Sequence, residues 1–226
     1  MVMKNRKKIL IISLTLLASF TCAAETVTKG MKKVIDDALD FSVKQSMSMF
    51  YEMKDQKGIL PRTAENGKMI TCESAWWTSG FYPGTLWYCY EYSNDPQIRA
   101  AAEEMTSRVE KQKYTTSNHD VGFIINCSFG NGYRLTHNET YRKVIETAAK
   151  SLSTRFHPVT GCTRSWNSKK WQFSVIIDNM MNLELLNVAS SLTGDNTYYN
   201  MAKSHADRTM INHFRPDGSS YHVVSY

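Results

Sequence analysis

Two aspartates and two histidines have types and surroundings that suit acid–base chemistry. Asp178 lies within the apolar stretch 173–183, where burial should raise the pKa of its carboxyl. A carboxyl that stays protonated near neutral pH is what a general acid requires. Asp120, which directly follows His119, is the second candidate carboxyl. The alternative is structural: both aspartates would be ordinary helix N-caps, and His119 and His222 ordinary buried or rim side chains.

Tryptophans in polar loops are the second unusual feature of the sequence. Trp76 and Trp77 precede a Thr-Ser-Gly stretch, and Trp166 and Trp171 flank another polar segment. Indole rings in such loops favour stacking on sugar rings, and the alternative is that they plug the loops over the core. Two carboxyls, two imidazoles and several indole rings are typical of a saccharide site.

Helices must position these residues, because helical hydrophobic periodicity dominates the chain. The pattern predicts one all-α domain of about seven helices, in which amphipathic helices alternate with helices that are apolar almost all round. The predicted helices begin at or near Val27, Phe81, Asp95, Asp120, Asn138, Ile177 and Asp195. Thr78 or Ser79 is expected to cap the second helix, and residues 130–132 to end the fourth. Strand-like alternation is confined to the last six residues.

The candidate residues recur at the starts of the apolar helices. Trp77, Asp120, Asp178 and His222 are separated by 43, 58 and 44 residues, close to the length of a helical hairpin with its loops. Successive outer and inner helices of this kind stack into a ring. Each inner helix would then start at the same rim, so the spacing predicts that these side chains gather there.

The charge balance gives no support to a nucleic-acid or anionic-membrane partner. The formal net charge is +6, but Lys4, Arg6, Lys7 and Lys8 supply four positive charges within an acid-free N-terminal segment. The remaining chain is nearly balanced, so it has no strong field for polyanions.

Residues 1–24 are predicted to be a cleaved export signal. A charged head precedes the apolar residues 9–20, and small residues follow up to Ala24. The apolar stretch is shorter than the ~20 residues that span a bilayer. We therefore expect a periplasmic or secreted protein without a membrane span. Cys22 leaves a lipoprotein alternative, which Phe20 and Thr21 argue against as neighbours of a lipidated cysteine.

Four cysteines remain beyond the predicted signal: Cys72, Cys89, Cys127 and Cys162. They could pair in three ways in an oxidising compartment. Two of them lie in apolar helical patterns, so buried free thiols are favoured. The sequence contains no zinc-site spacing, phosphate-binding glycine loop or serine nucleophile elbow.

Four ordered motifs resemble those of the unsaturated glucuronyl hydrolases, glycoside hydrolase family 88. They are WTSGFYPGTLW (77–87), HDVGF (119–123), IDNMMN (177–182) and DGSSYHVV (217–224). The resemblance implies an (α/α)6 barrel, which agrees with the alternation of helices. It also implies that Asp178 protonates the substrate and activates water, that Asp120 binds and assists, and that His119 and His222 contact the sugar. Trp77 and Trp166 would form apolar walls, and no metal or organic cofactor is implied.

The implied substrates are oligosaccharides that polysaccharide lyases leave with a terminal 4,5-unsaturated uronic acid, of the glycosaminoglycan or gellan type. The family hydrates the C4=C5 double bond, and the product rearranges to release the unsaturated glucuronyl residue. Two alternatives stay open. One is an unsaturated rhamnogalacturonyl hydrolase, against which the HDVGF motif argues, and the other is a truncated, non-catalytic sugar-binding remnant.

Residues 25–226 are expected to be the N-terminal portion of such a catalytic domain. The closed barrel has twelve helices, and the sequence predicts about seven. On this reading some inner helices lack one flank, so the chain by itself is expected to be poorly soluble or oligomeric and to turn over little substrate.

Overall fold

The protein, seen as a computed structural model, is described over residues 28–226 and is mainly helical. The predicted export signal and Cys22 lie outside these described residues. The helices are α1 (Lys29–Met53), α2 (Phe81–Ser93), α3 (Pro96–Ser107), α4 (Val121–Ile125), α5 (Asn131–Thr136), α6 (Glu139–Ser153), α7 (Asn179–Asn182), α8 (Glu184–Thr193) and α9 (Asn196–Asn212). The chain divides within α1 into the units Met1–Ala38 and Leu39–Tyr226. Every residue of the site described below belongs to the second unit.

Side-chain caps set the starts of three helices as the sequence predicts. Asp95, Asn138 and Asp195 each accept a hydrogen bond from the backbone N–H two residues later, at 2.8, 2.9 and 2.8 Å. Gly194 then ends α8 with a φ of +75°, a left-handed conformation that glycine adopts without steric cost.

The predicted cap of α2 is wrong. Gly80 stands at the N-cap position and makes no side-chain cap. The Ser79 hydroxyl instead donates to the Ser74 carbonyl at 2.7 Å, which removes it from the helix start. The cap fails because a contact with the preceding loop competes for the same side chain.

The fourth predicted helix is longer than expected. A π-helical turn, Asn126–Gly130, joins α4 to α5, so the helical path continues to Thr136. A Cβ on Gly132 would lie 2.7 Å from the Tyr141 ring and 3.0 Å from the Trp87 ring. This glycine therefore permits close packing of aromatic rings, and it does not end the helix.

Three small antiparallel sheets accompany the helices. They are β1 (Ile59–Glu65) with β2 (Lys68–Glu73), β3 (Phe156–His157) with β4 (Cys162–Thr163), and β5 (Ser174–Ile176) with β6 (Val223–Ser225). The strand predicted within the last six residues is confirmed, and the other strands were missed. The β1–β2 turn contains Asn66 and Gly67, both with positive φ, which is a recognised hairpin signal.

The core lies between the apolar faces of α4, α6 and α8, with a second cluster between α2 and α3. The inward residues predicted for the third helix are all buried: Ile98, Ala102, Met105 and Val109. The face predicted for the first helix is wrong at Met31, Val34, Ile35 and Phe41, which are exposed. Periodicity alone cannot show which turns of an amphipathic helix find a partner, and in α1 it is the C-terminal turns around Met53 that pack on the second cluster.

The four cysteines of the described residues are free thiols, as predicted. Burial raises the pKa of Cys72 and Cys162, and it raises that of Cys127 to about 11. Within residues 28–226, no helix has the length and apolar content needed to cross a membrane.

Candidate active site

Close backbone contacts join α2, α4 and α7. A Cβ on Gly80 would lie 2.3 Å from the Ile124 carbonyl oxygen, and one on Gly122 would lie 2.5 Å from the Asn182 carbonyl oxygen. Such approaches are possible only because both residues are glycines. The start of α2 therefore touches α4, and the start of α4 touches the last residue of α7.

The chain's last motif joins the same place through a strand pair. The Ile177 N–H donates to the His222 carbonyl at 2.9 Å, just beyond the β5–β6 ladder. Because Ile177 directly precedes Asp178, this bond places the backbone of His222 next to that of Asp178. The imidazole of His222 is exposed, and its charge acts on the Asp178 carboxyl.

His119, Asp120 and Asp178 form the centre of the site, which we call the acid cluster. His119 Nε2 lies 3.4 Å from Asp120 Oδ1 and 4.0 Å from Asp178 Oδ2. One nitrogen or carboxylate oxygen from each of the three side chains lies within 4.8 Å of the corresponding atoms of the other two. The two carboxyls are close enough for the charge of Asp178 to act on Asp120.

Neither aspartate acts as a side-chain helix cap. Asp120 and Asp178 occupy the N-cap positions of α4 and α7, yet their side chains make no cap hydrogen bond. The structural alternative raised from the sequence is therefore wrong for both. Their carboxyls point toward each other and toward His119, in contrast to the three capping residues elsewhere in the chain.

The two carboxyls are protonated more easily than usual. Burial, and then the charge of Asp178, raises the pKa of Asp120 to about 6. Burial also raises the pKa of Asp178, against an opposing effect of His222. The direction expected for Asp178 from its apolar neighbours is the direction found. The sequence did not indicate that Asp120 shares this property, because its desolvation depends on residues far away in the chain.

His119 is a buried, neutral imidazole. Its side chain is 2% exposed, and burial lowers its pKa to about 4. Its backbone N–H donates to the Ser165 carbonyl at 2.9 Å, which fixes it against the loop between β4 and β5. The side chain thus faces the carboxyls as a polar but uncharged group near neutral pH.

Two tryptophans stand on chain segments next to those that carry the acid cluster. Trp77 is 43% exposed, and its ring lies 5.8 Å from Phe81 and 6.2 Å from Phe123. Trp166 forms an isolated β-bridge with Asn118, next to His119, and its ring lies 6.1 Å from Trp171. The six residues singled out from the sequence are therefore gathered about one place. Their individual roles remain predictions.

Comparisons with known proteins agree with the motifs. No family model matches the chain. It is 46% identical over 153 residues to an unsaturated glucuronyl hydrolase of Formosa agariphila, which covers 66% of this chain and 38% of that protein. It is 33% identical over 199 residues to an unsaturated chondroitin disaccharide hydrolase of Streptococcus pyogenes, at 85% and 49% coverage.

Solved structures agree as well. The chain matches a crystal structure of an unsaturated glucuronyl hydrolase specific for heparin with a TM-score of 0.78 and 42% identity, over 84% of this chain and 52% of that one. The chain is a relative of the unsaturated glucuronyl hydrolases. The predicted fold class, the (α/α)6 barrel arrangement of outer and inner helices, is confirmed with it. The chain spans 38–50% of the length of the curated relatives it matches.

Two buried asparagines belong to this glucuronyl hydrolase-like site and were not predicted. Asn179 and Asn182 are 0% exposed, and both stand on α7 beside Asp178. Asn182 Oδ1 accepts from the Phe123 N–H at 2.7 Å, which ties α7 to α4. A polar residue in an otherwise apolar helix is the signal that would have found them, since buried amides require partners.

The donor set of the acid cluster suits proton transfer. Within the described part of the chain it is the one group of His, Cys, Asp and Glu side chains close enough to share a cation. Burial raises the pKa of both carboxyls. A proton held between them therefore removes the cost of burying two negative charges. The arrangement places two carboxyls that hold a proton more readily than usual beside a neutral imidazole.

Proposed function

We propose that the protein hydrates the C4=C5 double bond of unsaturated uronyl oligosaccharides and thereby releases the terminal unsaturated glucuronyl residue. The observation that carries this proposal is the acid cluster. Two desolvated carboxyls face each other beside a neutral imidazole, where the segments around α2, α4 and α7 that hold three of the family motifs are in contact. The activity is proposed for the protein that contains this chain.

Asp178 acts as the general acid in this proposal. Its protonated carboxyl donates a proton to C4, and water adds its hydroxyl at C5 as the same carboxylate accepts the proton that the water loses. The net change is addition of one water across the double bond. The hemiketal at C5 then opens, its ring oxygen becomes a hydroxyl at C1, and the resulting hemiacetal expels the remaining sugar.

Asp120 and the aromatic rings hold the substrate in this proposal. Asp120 accepts hydrogen bonds from sugar hydroxyls and keeps a proton available beside Asp178, since its own pKa is about 6. The exposed ring of Trp77 and the half-buried ring of Trp166 offer flat apolar surfaces to the sugar. His119 and His222 make further polar contacts to the sugar.

A glycosaminoglycan-derived disaccharide is the proposed substrate class. Support comes from two relatives, one specific for heparin at 42% identity and one named for a chondroitin disaccharide at 33% identity. A gellan-type oligosaccharide is the comparison substrate. The ratio of kcat/KM values for the two classes decides between them.

Loss of near-ultraviolet absorbance tests the reaction, because hydration removes the conjugated double bond. We expect Asp178→Asn to abolish turnover while substrate still binds, because an amide cannot protonate C4. The matched control is Asp207→Asn, which makes the same change at a carboxyl that is 62% exposed and paired with Lys203. Near-normal turnover of the Asp178 variant would contradict its role as the acid.

The pH dependence of turnover gives a second test. An acid must be protonated to act, so the rate falls as the pH rises through its pKa. Because the pKa values of both carboxyls are raised, we expect an optimum between mildly acidic and neutral pH. A rate that climbs to an alkaline plateau would rule out carboxyl acid catalysis.

We also propose that the protein is exported to the periplasm or secreted after cleavage of residues 1–24. Support comes from the charged head, the apolar stretch and the small residues before Glu25. Mass spectrometry of the mature protein should find Ala24 or Glu25 at its N-terminus, and Leu14→Arg should block processing. Lipid attachment at Cys22 would replace this route with a lipoprotein route.

A further inference from the structure

A buried arginine stands beside the segment that carries His119 and Asp120. Arg155 directly follows the C-terminal cap of α6 and is only 8% exposed. Burial, together with the charge of Arg164, lowers its pKa to about 10, so the side chain is still a cation near neutral pH. Within residues 28–226 it makes no ion pair with a carboxylate. A buried cation without a counter-ion is costly unless polar groups surround it.

Neutral acceptors from two separate segments surround the Arg155 guanidinium. Its Nε donates to the Arg164 carbonyl at 2.8 Å, and its Nη1 donates to the Thr116 carbonyl at 2.6 Å. Its Nη2 donates to Asn167 Oδ1 at 3.4 Å. A guanidinium is planar and holds its N–H groups in a fixed fork. The three acceptors are therefore kept at set positions relative to one another.

These acceptors lie at a junction of two segments, 116–120 and 163–167. Asn118 of the first segment and Trp166 of the second form an isolated β-bridge. Thr116 lies two residues before Asn118, and Asn167 directly follows Trp166. Arg155 thus bonds to both segments within two residues of the bridge that joins them.

The 163–167 segment also connects the two carboxyl-bearing parts of the site. On one side, the His119 N–H donates to the Ser165 carbonyl at 2.9 Å. On the other side, the Ile176 N–H donates to Ser165 Oγ at 3.0 Å. Asp120 directly follows the first contact along the chain, and Asp178 comes two residues after the second. A change of spacing at the first contact therefore moves Asp120 relative to Asp178.

We infer that Arg155 is a positioning residue that fixes the spacing between the 116–120 and 163–167 segments, and with it the position of His119 relative to Trp166. Because Arg155 is buried, it acts through these segments and not on the sugar. Its charge also reaches the His119 imidazole, whose pKa is lowered first by burial and further by Arg155. The consequence for catalysis rests on the proposed hydration, but the spacing itself does not.

Arg108 provides a matched comparison within the same chain. Its side chain is 7% exposed and pairs with Glu104, and its guanidinium donates to three backbone carbonyls of residues 54–59. It too ties a loop to the end of a helix, but that loop carries none of the site residues. Loss of a buried guanidinium as such should act alike at both positions, whereas loss of site geometry should follow only from a change at Arg155.

Nitrogen-15 NMR of the arginine side chains tests these contacts in the wild-type chain without substrate, with signals assigned through the backbone of each residue. We expect the Arg155 Nε–H to exchange slowly with water. Its two Nη groups should give separate signals, because hydrogen bonds to both segments prevent rotation of the guanidinium. Fast exchange and averaged Nη signals would overturn the inference.

The substitution Arg155→Lys keeps the positive charge but replaces the fork with one ammonium group, which cannot bond all three acceptors. We expect the signals of the Trp166 indole N–H and the His119 ring to shift without substrate. The value of kcat/KM for an unsaturated disaccharide should fall on the order of 10²-fold, because a displacement of about 1 Å has that effect. Arg108→Lys should leave both signals and kcat/KM close to wild type. Trp166→Phe and His119→Asn identify the two signals by their loss.

The outcomes separate positioning from general structural damage. Unchanged Trp166 and His119 signals in Arg155→Lys, or equal shifts in Arg108→Lys, would overturn the inference, as would an unchanged kcat/KM in Arg155→Lys. If Arg155→Lys does not fold, the wild-type measurement decides. A wild type without hydration activity would contradict the proposed function, and the substrate-free signals would still decide the role of Arg155.

Discussion

The position of the Asp120 carboxyl lowers the stability of the folded protein near neutral pH. Asp120 is half of a close acidic pair and only 22% exposed in its side chain. Its pKa is raised from 3.8 to about 6, whereas in the unfolded chain it ionises near pH 4. The destabilising effect of Asp120 is therefore absent below about pH 4, grows as the pH rises to about 6, and stays constant above that.

We expect Asp120→Asn to remove this penalty. A pKa difference of two units corresponds to at most ~3 kcal/mol, and partial exposure reduces it to about 1–2 kcal/mol. The variant should be more stable than the wild type at pH 7 and not at pH 4, as measured by urea unfolding. Asp207→Asn is the exposed control and should change little at either pH. A variant that is equally or less stable at pH 7 would show that Asp120 ionises without cost.

At the scale of elements, close glycine contacts fix the positions of neighbouring helices around the site. Gly122 packs directly on the backbone of Asn182, where a Cβ would meet the carbonyl oxygen at 2.5 Å. Backbone atoms cannot move aside as a flexible side chain can. The two helices would have to separate, and with them Asp120 and Asp178.

We expect Gly122→Ala to destabilise the protein by about 3 kcal/mol or more, at the upper end for overpacking. Gly30→Ala is the control, because a Cβ there meets nothing within 4 Å and alanine favours a helix by ~0.5–1 kcal/mol over glycine. The midpoints of urea unfolding for the two variants should move in opposite directions. A small effect at Gly122 would mean that α4 and α7 are not in fixed contact.

Helix caps give a second expectation at this scale. Asn138 caps α6 with its side chain, so Asn138→Ala should cost about 1 kcal/mol. Asp178 stands at the same position of α7 but makes no cap bond, so Asp178→Ala should lose no cap energy. Urea unfolding at pH 7 of the two variants measures the difference. An equal loss in both would show that Asp178 caps its helix after all.

At the scale of the whole molecule, a buried histidine joins α9 to β4. His205 is 0% exposed, and its Nδ1 accepts from the Thr163 N–H at 2.9 Å. Burial, with the charges of His213 and His119, lowers its pKa to about 4. An unfolded histidine takes up a proton near pH 6.5, so stability is present above pH 6.5 and is lost as the pH falls to about 4.

We expect His205→Gln to flatten the acid limb, which is the part of the curve of stability against pH that falls between pH 6.5 and pH 4. The shift corresponds to on the order of 2–3 kcal/mol between pH 6.5 and pH 4, and a glutamine has no proton to take up in that range. Thermal unfolding measured across this interval should show a smaller loss for the variant, whatever its stability at pH 7. An acid limb as steep as that of the wild type would assign the loss to other groups.

The local order of the fold could be read from the sequence. Three of the helix starts were placed correctly because Asp95, Asn138 and Asp195 interact with backbone groups only two residues away. The inward face of α3 followed from its spacing alone. Asp120, Asp178 and His119 were found because acidic and imidazole side chains stand out at the starts of apolar helices. All of these signals are local in the chain.

The tertiary structure decided what those residues do. It turned the carboxyls of Asp120 and Asp178 away from their helix caps and toward each other, and it buried His119 against the loop that contains Ser165, more than forty residues away. It also revealed Asn179 and the small sheets at the helix ends. Desolvation and side-chain direction depend on groups that packing brings together from distant segments, so no pattern within one segment could show them.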